Sequence, residues 1–373
     1  MFRYTLIATA AFGVESVVAQ ELRNLGYNDL KVENGRVFFE GNEYDIARTN
    51  LWLRSADRVL IKMGEFKAET FEELFQGTKS LDWHEILPVN ANFPVTGKSV
   101  RSKLYSVPDC QAIVKKAIVE KLKQKYKKEW FEERGPIYKI EVSLLKDVAT
   151  LTIDTSGAGL HKRGYRLLQG EAPLRETLAA AIILLSRWDV TKPLMDPFCG
   201  SGTIPIEAAM IGKNMAPGLF REFVSEKWPQ IPKRFWNTAR EEAKNQINGE
   251  SFRILASDID GNILKVAREN AKRAGVEQYI SFQKLSFENI SSKKENAFII
   301  CNPPYGERMG EEREVERLYR KMGEVFSKLE GWSFFVLTAH PKFQELFGRK
   351  ADKNRKLYNG KIKCYLYQYF GKK

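Results

Sequence analysis

The sequence predicts an α/β protein in two parts: an N-terminal half of mixed α+β elements with antiparallel strands, then a doubly wound, mostly parallel sheet. Three observations carry this. From residue 193 to 338 short apolar runs alternate with amphipathic stretches, the pattern of repeated strand, helix and strand units. Hairpin turn signals, Asn34-Gly35 and Asn359-Gly360, fall near the two ends of the chain. With 373 residues the chain exceeds one ordinary domain, and its 43% hydrophobic content suffices for buried cores.

Taken in order, residues 2–10 predict a strand and residues 14–25 an amphipathic helix stopped by Gly26. Residues 31–40 predict a hairpin with Val37, Phe38 and Phe39 in its second arm; residues 44–55 a helix; residues 58–66 a strand. The formal net charge of +13 points to a polyanionic partner, nucleic acid first. The charge concentrates between Lys98 and Lys128, where ten cations face two acids, Asp109 and Glu120. Within that stretch Ile113, Val114, Ala117, Ile118 and Leu122 give residues 107–126 one apolar helical face, so the lysines cover the other. A solvated face is the default reading. The unbalanced excess also makes it a candidate RNA-phosphate surface, on which charge reversal at Lys115, Lys116 and Lys121 should weaken RNA binding.

Residues 137–142 and 148–154 predict a strand pair, and Thr155-Ser156-Gly157-Ala158-Gly159 the best linker. His161-Lys162-Arg163-Gly164-Tyr165-Arg166, basic with one aromatic, is either a nucleic-acid contact or a basic linker. A strong helix follows over residues 172–188, starting near Pro173. Residues 193–203 form a strand, a tight glycine turn and the start of a helix that tolerates Pro205 in its first turn. Residues 214–249 interrupt the pattern as a helical insert whose Trp228, Phe235 and Trp236 suit packing better than base stacking. Strands are expected at 253–257, 279–285, 297–301 and 333–338, helices at 262–274 and 311–329, and a last hairpin over 357–370.

Two loops carry chemistry. Asp196-x-x-x-Gly200-x-Gly202 follows a strand and opens a helix, so backbone N–H groups and the helix N-terminus can approach a carboxylate or phosphate. It is neither a P-loop nor Gly-x-Gly-x-x-Gly; it fits S-adenosylmethionine (SAM). Asp258, at the next strand end, suits the two ribose hydroxyls, while Asp260 suits a helix cap. The run Asn302-Pro303-Pro304-Tyr305 follows the apolar residues 297–301, and its prolines stop that strand where its carboxyl end meets solvent. An exocyclic base amine is a poor nucleophile, because its lone pair is delocalised into the ring. The Asn302 side-chain oxygen and the Pro303 carbonyl could accept both of its N–H bonds, and Tyr305 could stack on an extruded base. The alternative is a strand ending in a Pro-Pro turn with a packed tyrosine; the upstream motif order decides against it.

The four cysteines are far apart and only three histidines are present, which supports neither a disulfide framework nor a zinc site and fits the cytoplasm. No apolar run approaches a membrane span, and Glu15, Gln20, Glu21 and Arg23 argue against a signal peptide.

The order Asp196-Pro197-Phe198-Cys199-Gly200-Ser201-Gly202-Thr203, then Asp258, then Asn302-Pro303-Pro304-Tyr305 resembles the SAM-dependent amino-methyltransferases of the Rossmann class. With Ala216-Pro217-Gly218-Leu219, residues 161–166 and the N-terminal half, it resembles bacterial THUMP-domain RNA methyltransferases of the RlmL/YpsC type, which make N2-methylguanine in 23S ribosomal RNA. The resemblance implies a ferredoxin-like subdomain over residues 1–60, a THUMP module over 61–157 and a Rossmann-like class I methyltransferase domain over 158–373. It implies cofactor contacts from Asp196, Pro197, Phe198, Gly200, Gly202, Thr203, Asp258, Ile259 and Ser286. The helix before the glycine loop would add Glu176 and Thr177. Catalysis would fall to Asn302, Pro303, Pro304 and Tyr305, the partner would be 23S rRNA or a ribosomal assembly intermediate, and no metal or membrane is expected. Many relatives place an acid after the third strand for the adenine amine. Here the residues are Leu285-Ser286-Phe287, leaving Ser286 or the backbone. A second activity fused in some relatives is not expected, since little chain follows the last strand. Two alternatives stay open: an adenine-N6 methyltransferase on DNA or RNA, and an inactive RNA-binding ribosome assembly factor.

Overall fold

Local signals account for most of the N-terminal elements. In the computed structural model, which describes residues 3–166, 174–292, 295–305 and 312–371, the chain opens with β1 (Tyr4–Thr9) and α1 (Glu15–Asn24). One carboxylate organises this start: Glu15 accepts from the Gly13 amide at 2.8 Å and the Gly35 amide at 2.9 Å, tying the helix entry to the Asn34-Gly35 turn. That turn joins β2 (Lys31–Glu33) to β3 (Arg36–Gly41), and α2 (Glu43–Trp52) begins in an Asn42/Asp45 capping box. Next come β4 (Arg58–Lys67), α3 (Phe71–Ser80), β5 (Val95–Val100), α4 (Val107–Tyr126), β6 (Ile140–Leu145) and β7 (Val148–Asp154). The sequence reading had neither α3 nor β5. For α3 the signal was there, a Thr70/Glu73 capping box.

These seven strands form one sheet in the order β2-β3-β1-β4-β7-β6-β5. The boundary expected after residue 60 falls inside β4, which pairs antiparallel with β1 on one side and β7 on the other. One sheet face is core: Leu6, Ala8, Val37, Phe39, Val59 and Ile61 are buried with Val18, Leu22, Ile46 and Ala47. Among the described residues, the opposite face carries the small cluster Ile7, Phe38 and Leu60. There Lys31, Arg36 and Lys62 lie 5.1–5.6 Å from the Phe38 ring.

The lysine-rich helix is α4, but its charge is more balanced than the sequence implied. Lys115 is half-buried, donates to Glu133 at 2.6 Å, and sits 3.5 Å from the Phe93 ring centre. Lys121 pairs with Asp82 at 3.2 Å, and Lys123 with Glu120 and Glu129 at 3.4 and 3.2 Å. The acids come from outside the stretch in three of these cases, so a local count misses them. Of the three lysines singled out for charge reversal, only Lys116 is exposed.

The second half contributes α5 (Glu176–Ser186), β8 (Leu194–Asp196), α6 (Thr203–Gly212), α7 (Lys233–Asn245), β9 (Ile254–Asp258), α8 (Gly261–Arg273) and β10 (Ile280–Lys284). It closes with β11 (Phe298–Cys301), α9 (Glu312–Phe326), β12 (Ser333–Thr338), α10 (Phe343–Leu346), β13 (Lys353–Asn359) and β14 (Ile362–Tyr369). Phe2, Pro173 and Glu311, expected inside or near element starts, lie outside the described residues. The sheet order is β10-β9-β8-β11-β12-β14-β13, parallel except for the closing antiparallel hairpin, as the alternation and the Asn359-Gly360 turn predict.

The expected linker is not slack. Thr155 and Ser156 are fully buried, the Thr155 hydroxyl donates to the Val59 carbonyl at 2.6 Å, and the Ser156 hydroxyl donates to Asn50 Oδ1 at 2.6 Å. Nor do residues 161–166 meet nucleic acid through their cation and aromatic ring at 163 and 165. Arg163 is buried, donating to the Leu160 carbonyl at 2.7 Å and pairing with Glu207 of α6 at 3.4 Å, and the Tyr165 hydroxyl reaches the same carboxylate at 3.2 Å. Removing one partner of such a pair costs ~3–5 kcal/mol. The helical insert braces the junction too: Trp228 stacks on Tyr138 with centroids 4.4 Å apart, and Gln230 bonds Tyr138 and the Ile86 carbonyl at 2.7 Å each.

At the other end of the junction Gly13, with φ +88°, sits so close to β13 that an added Cβ would lie 2.3 Å from the Lys356 carbonyl oxygen. Gly13→Ala should therefore lower stability by more than ~2 kcal/mol, since it combines a left-handed backbone cost with a backbone clash. A thermal or urea melt checks this; a wild-type curve would contradict it.

Candidate active site

The strand order reverses between β8 and β11. Chain order runs outward through β9 and β10 on one side and through β12 on the other, so a crevice opens at the carboxyl ends of this adjacent pair. The two loops picked out in the sequence leave from these strands and face one cleft of about 1220 Å³. That exceeds the ~300–1,000 Å³ of an ordinary small-ligand pocket and has room for a base beside a cofactor.

On the β8 side the loop is held by its neighbour β9. The Asp258 carboxylate accepts from the Gly200 amide at 2.9 Å and the Asp260 amide at 3.0 Å, and the Cys199 amide donates to the Ser257 carbonyl at 3.0 Å. Gly200 has φ +49°, and a Cβ there would meet nothing within 4 Å, so the backbone itself is the cleft floor. Gly202, φ +88°, is the N-cap of α6 and packs against Ala267. A carboxylate offers about four acceptor sites; Asp258, half-buried at the cleft, has spent two on amides. Asp260 caps α8, as the sequence predicts, accepting from the Asn262 amide at 2.8 Å.

Asp196 shapes the loop from beneath. It is 1% exposed and accepts from the Phe198 amide at 3.0 Å. Burial pushes its carboxyl up to about 8, with the Phe198 amide opposing the rise and the Asp258 charge adding to it. Pro197, Phe198, Gly200, Asp258, Ile259 and Ser286 line the cleft; Asp196, Gly202 and Thr203 support it from outside the lining. Thr177 is elsewhere: its hydroxyl donates to Asp57 at 3.4 Å, across the junction with the N-terminal half. Glu176 is likewise turned away, buried against Arg166 at 3.4 Å.

Across the cleft Asn302, Pro303, Pro304 and Tyr305 form one wall. The Tyr305 hydroxyl donates to Asn302 Oδ1, the acceptor proposed for an amine. Behind them is a residue the sequence reading did not single out. Tyr319 of α9 is fully buried, and its hydroxyl lies 2.6 Å from the Pro304 carbonyl and 2.8 Å from Thr338 Oγ1 at the end of β12. Tyr319 thus fixes the tip of the loop to the sheet. Tyr319→Phe should lower kcat about tenfold, the value of one buried hydrogen bond, with affinity for S-adenosylhomocysteine (SAH) unchanged; steady-state kinetics beside calorimetry separates the two.

Ser286 lines the cleft but caps the next turn, accepting from the Glu288 amide at 3.3 Å. Two residues on, Glu288 lines the cleft beside Phe287. Phe287 lies 5.1 Å from Phe198, an aromatic pair suited to one side of an adenine. The first turns of α9 add Arg317, Leu318 and Lys321 to the rim. Only the amphipathic spacing of that helix could have hinted at them.

Comparison with known proteins agrees with this geometry. The RMKL-like methyltransferase domain family matches residues 163–368, the RlmL ferredoxin-like domain residues 5–60 and the THUMP domain residues 68–154. Bacillus subtilis (strain 168) YpsC, provisionally named an RNA methyltransferase, is 54% identical over 100% of this chain and 97% of its own length. Ribosomal RNA large subunit methyltransferase K/L of Psychromonas ingrahamii is 35% identical over 96% of this chain, which spans about half, 49%, of that longer protein. Among solved structures, SMU.472, provisionally a methyltransferase and complexed with SAH, is 50% identical with a TM-score of 0.95, covering 100% of this chain and 99% of that one. A Listeria monocytogenes (str. 4b F2365) protein provisionally described as an N6-adenine-specific DNA methylase is 53% identical with a TM-score of 0.95, covering 100% and 97%. With the glycine loop, its paired carboxylate and the Asn302 loop facing one cleft, the chain belongs to the SAM-dependent THUMP-domain RNA methyltransferases with an RlmL-type ferredoxin-like domain and an RMKL-like catalytic domain.

Proposed function

We propose that the protein methylates the exocyclic N2 amine of a guanine in RNA, in 23S ribosomal RNA or an assembly intermediate carrying it, in the cytoplasm. One observation carries the reading: the Gly200 loop and the Asn302 loop leave adjacent paired strands and open on the same cleft. The cleft fits SAM. Gly200 presents bare backbone, Asp258 has acceptor sites left for ribose hydroxyls, Phe198, Ile259 and Phe287 offer apolar walls, and Glu288 an acceptor for the adenine amine.

When bound, SAM supplies an electrophilic methyl group. The chain's part is to prepare the nucleophile. Asn302 Oδ1 and the Pro303 carbonyl accept the two amine N–H bonds, which turns the nitrogen lone pair out of conjugation and toward the methyl carbon. The amine would take the methyl group that SAM supplies, leaving SAH, and would give up one proton to water. The Tyr305 hydroxyl takes one of the two acceptor sites of Asn302 Oδ1 in this structure, which leaves the other for an amine N–H. Release of that hydroxyl would free the ring to stack on the extruded base. Positioning and hydrogen bonding supply the catalysis, with no strong base.

Large-subunit ribosomal RNA as substrate is supported by the likeness to the K/L enzyme, and guanine-N2 by the resemblance carried by the Asn302 loop. A second reading, adenine-N6 on DNA, rests on the description of the Listeria protein. Incubation with tritiated SAM and ribosomal RNA, tRNA or DNA, followed by nucleoside analysis, decides. Label in N2-methylguanosine supports the proposal and label in N6-methyladenine the second reading. Tight RNA binding with no label would leave an inactive assembly factor.

A further inference from the structure

We infer that the outward face of the β13–β14 hairpin is a platform for the RNA strand flanking the target base. The inference rests on the RNA reading above and goes beyond the cleft itself.

The hairpin overhangs the cleft. Pairing of β12 with β14 stops at Thr338 opposite Tyr365, yet β13 and β14 stay paired through Leu357–Cys364, Tyr358–Lys363 and Asn359–Ile362. The tip therefore projects past the sheet's carboxyl edge, and Ile362 forms part of the cleft wall.

Its two faces differ in kind. Leu357, Cys364 and Leu366 point inward and are buried. On the other face Lys356 stands opposite Tyr365 and Tyr358 opposite Lys363, a checkerboard of cations and rings. Lys356 lies 5.4 Å from the Tyr358 ring centre and Lys363 5.5 Å from that of Tyr365. Both rings are half-buried, Tyr358 edge-on to Phe12 at 6.2 Å and Tyr365 beside Tyr367 at 6.1 Å, so each offers a base only its exposed part; interleaved with cations for phosphates, they suit an unpaired nucleotide strand.

Little of the charge is neutralised by acids within the fold. From Arg349 to Lys363 seven cations meet one acid, Asp352, which already pairs with Arg349 at 3.6 Å. Lys353, Lys356, Lys361 and Lys363 are exposed, and among the described residues no carboxylate lies within ion-pair distance of them. Such crowding repels itself and destabilises a folded hairpin unless a polyanion neutralises it. Beside the tip the Arg175 amide donates to Asn359 Oδ1 at 3.4 Å, and Arg175 lines a groove of about 390 Å³ on the N-terminal sheet where Arg58, Lys98 and Lys139 are interleaved with Asp57, Glu141 and Asp154.

The test uses the full chain, with deproteinised, fluorescently labelled large-subunit ribosomal RNA as the probe at several salt concentrations. Two triple variants are compared with wild type, one carrying Lys356→Glu, Lys361→Glu and Lys363→Glu, the other the same positions changed to Gln. The Glu variant should bind RNA at least about tenfold more weakly, with a log–log salt slope shallower by about 2, at ~0.7 per phosphate contact on single strands. The Gln variant should fall between, and both should keep wild-type SAH affinity by calorimetry. If the Glu variant melts early, the Gln variant decides. Wild-type RNA affinity and slope in the variants, while the wild type methylates RNA, overturn the platform alone. A wild type that neither binds nor methylates RNA overturns the RNA reading and the platform with it.

Discussion

Asn302→Ala should reduce methyl transfer at least ~10³-fold while SAH binds as before, because removing one preorganised group that acts on the reacting centre costs ~10²–10³. Here the loss is compounded: without the amide oxygen the amine keeps its lone pair in the ring, and the Tyr305 hydroxyl loses its partner at the same time. The fold should be untouched, since Asn302 is half-buried at a strand end and its side chain braces no core element. Single-turnover methylation beside SAH calorimetry measures both quantities. Turnover within tenfold of wild type would remove Asn302 from catalysis.

Asp258→Ala should act on the other side of the cleft, weakening SAH binding about 100-fold. A hydrogen bond to a charged group contributes ~1.5–3 kcal/mol, and this carboxylate serves the ligand and the loop together. Without it the Gly200 and Asp260 amides lose their acceptor, so the turn that forms the cleft floor loosens as well as losing its ribose contact. Asp258→Asn should be milder, because one side-chain oxygen still accepts. Equal losses in the two variants would mean that charge rather than geometry holds the ligand. An unchanged SAH affinity in Asp258→Ala would place the ribose elsewhere.

Much of this was legible because it depends on short-range chemistry. Gly35 and Gly360 adopt φ of +76° and +63°, so the turns they mark could be placed from two residues each. The same holds for Gly200 and Gly202, where only glycine combines a left-handed backbone with close approach. What escaped depends on partners distant in the chain. Thr155-Ser156-Gly157-Ala158-Gly159 has the composition of a flexible tether, yet its hydroxyls are satisfied by Asn50 and Val59, some hundred residues earlier. Lys115 looked like surface charge because Glu133 and Phe93 are not its helical neighbours. Thr177 was assigned to the cofactor by its place before the glycine loop, and only the fold shows it turned toward Asp57. Glu288 was passed over because it sits two residues beyond the expected position, brought to the cleft by a short 3-10 turn over Phe287–Asn289.

The interlocked junction has a consequence for how a target is chosen. With Thr155 and Ser156 sealed inside, Arg163 paired across to α6, and Trp228 clamped on Tyr138, the N-terminal sheet and the catalytic sheet are set at a fixed spacing. If RNA seats on the N-terminal sheet, the enzyme is a calliper: the nucleotide that reaches the other jaw is the one lying at the matching span, whether or not its neighbours share a sequence.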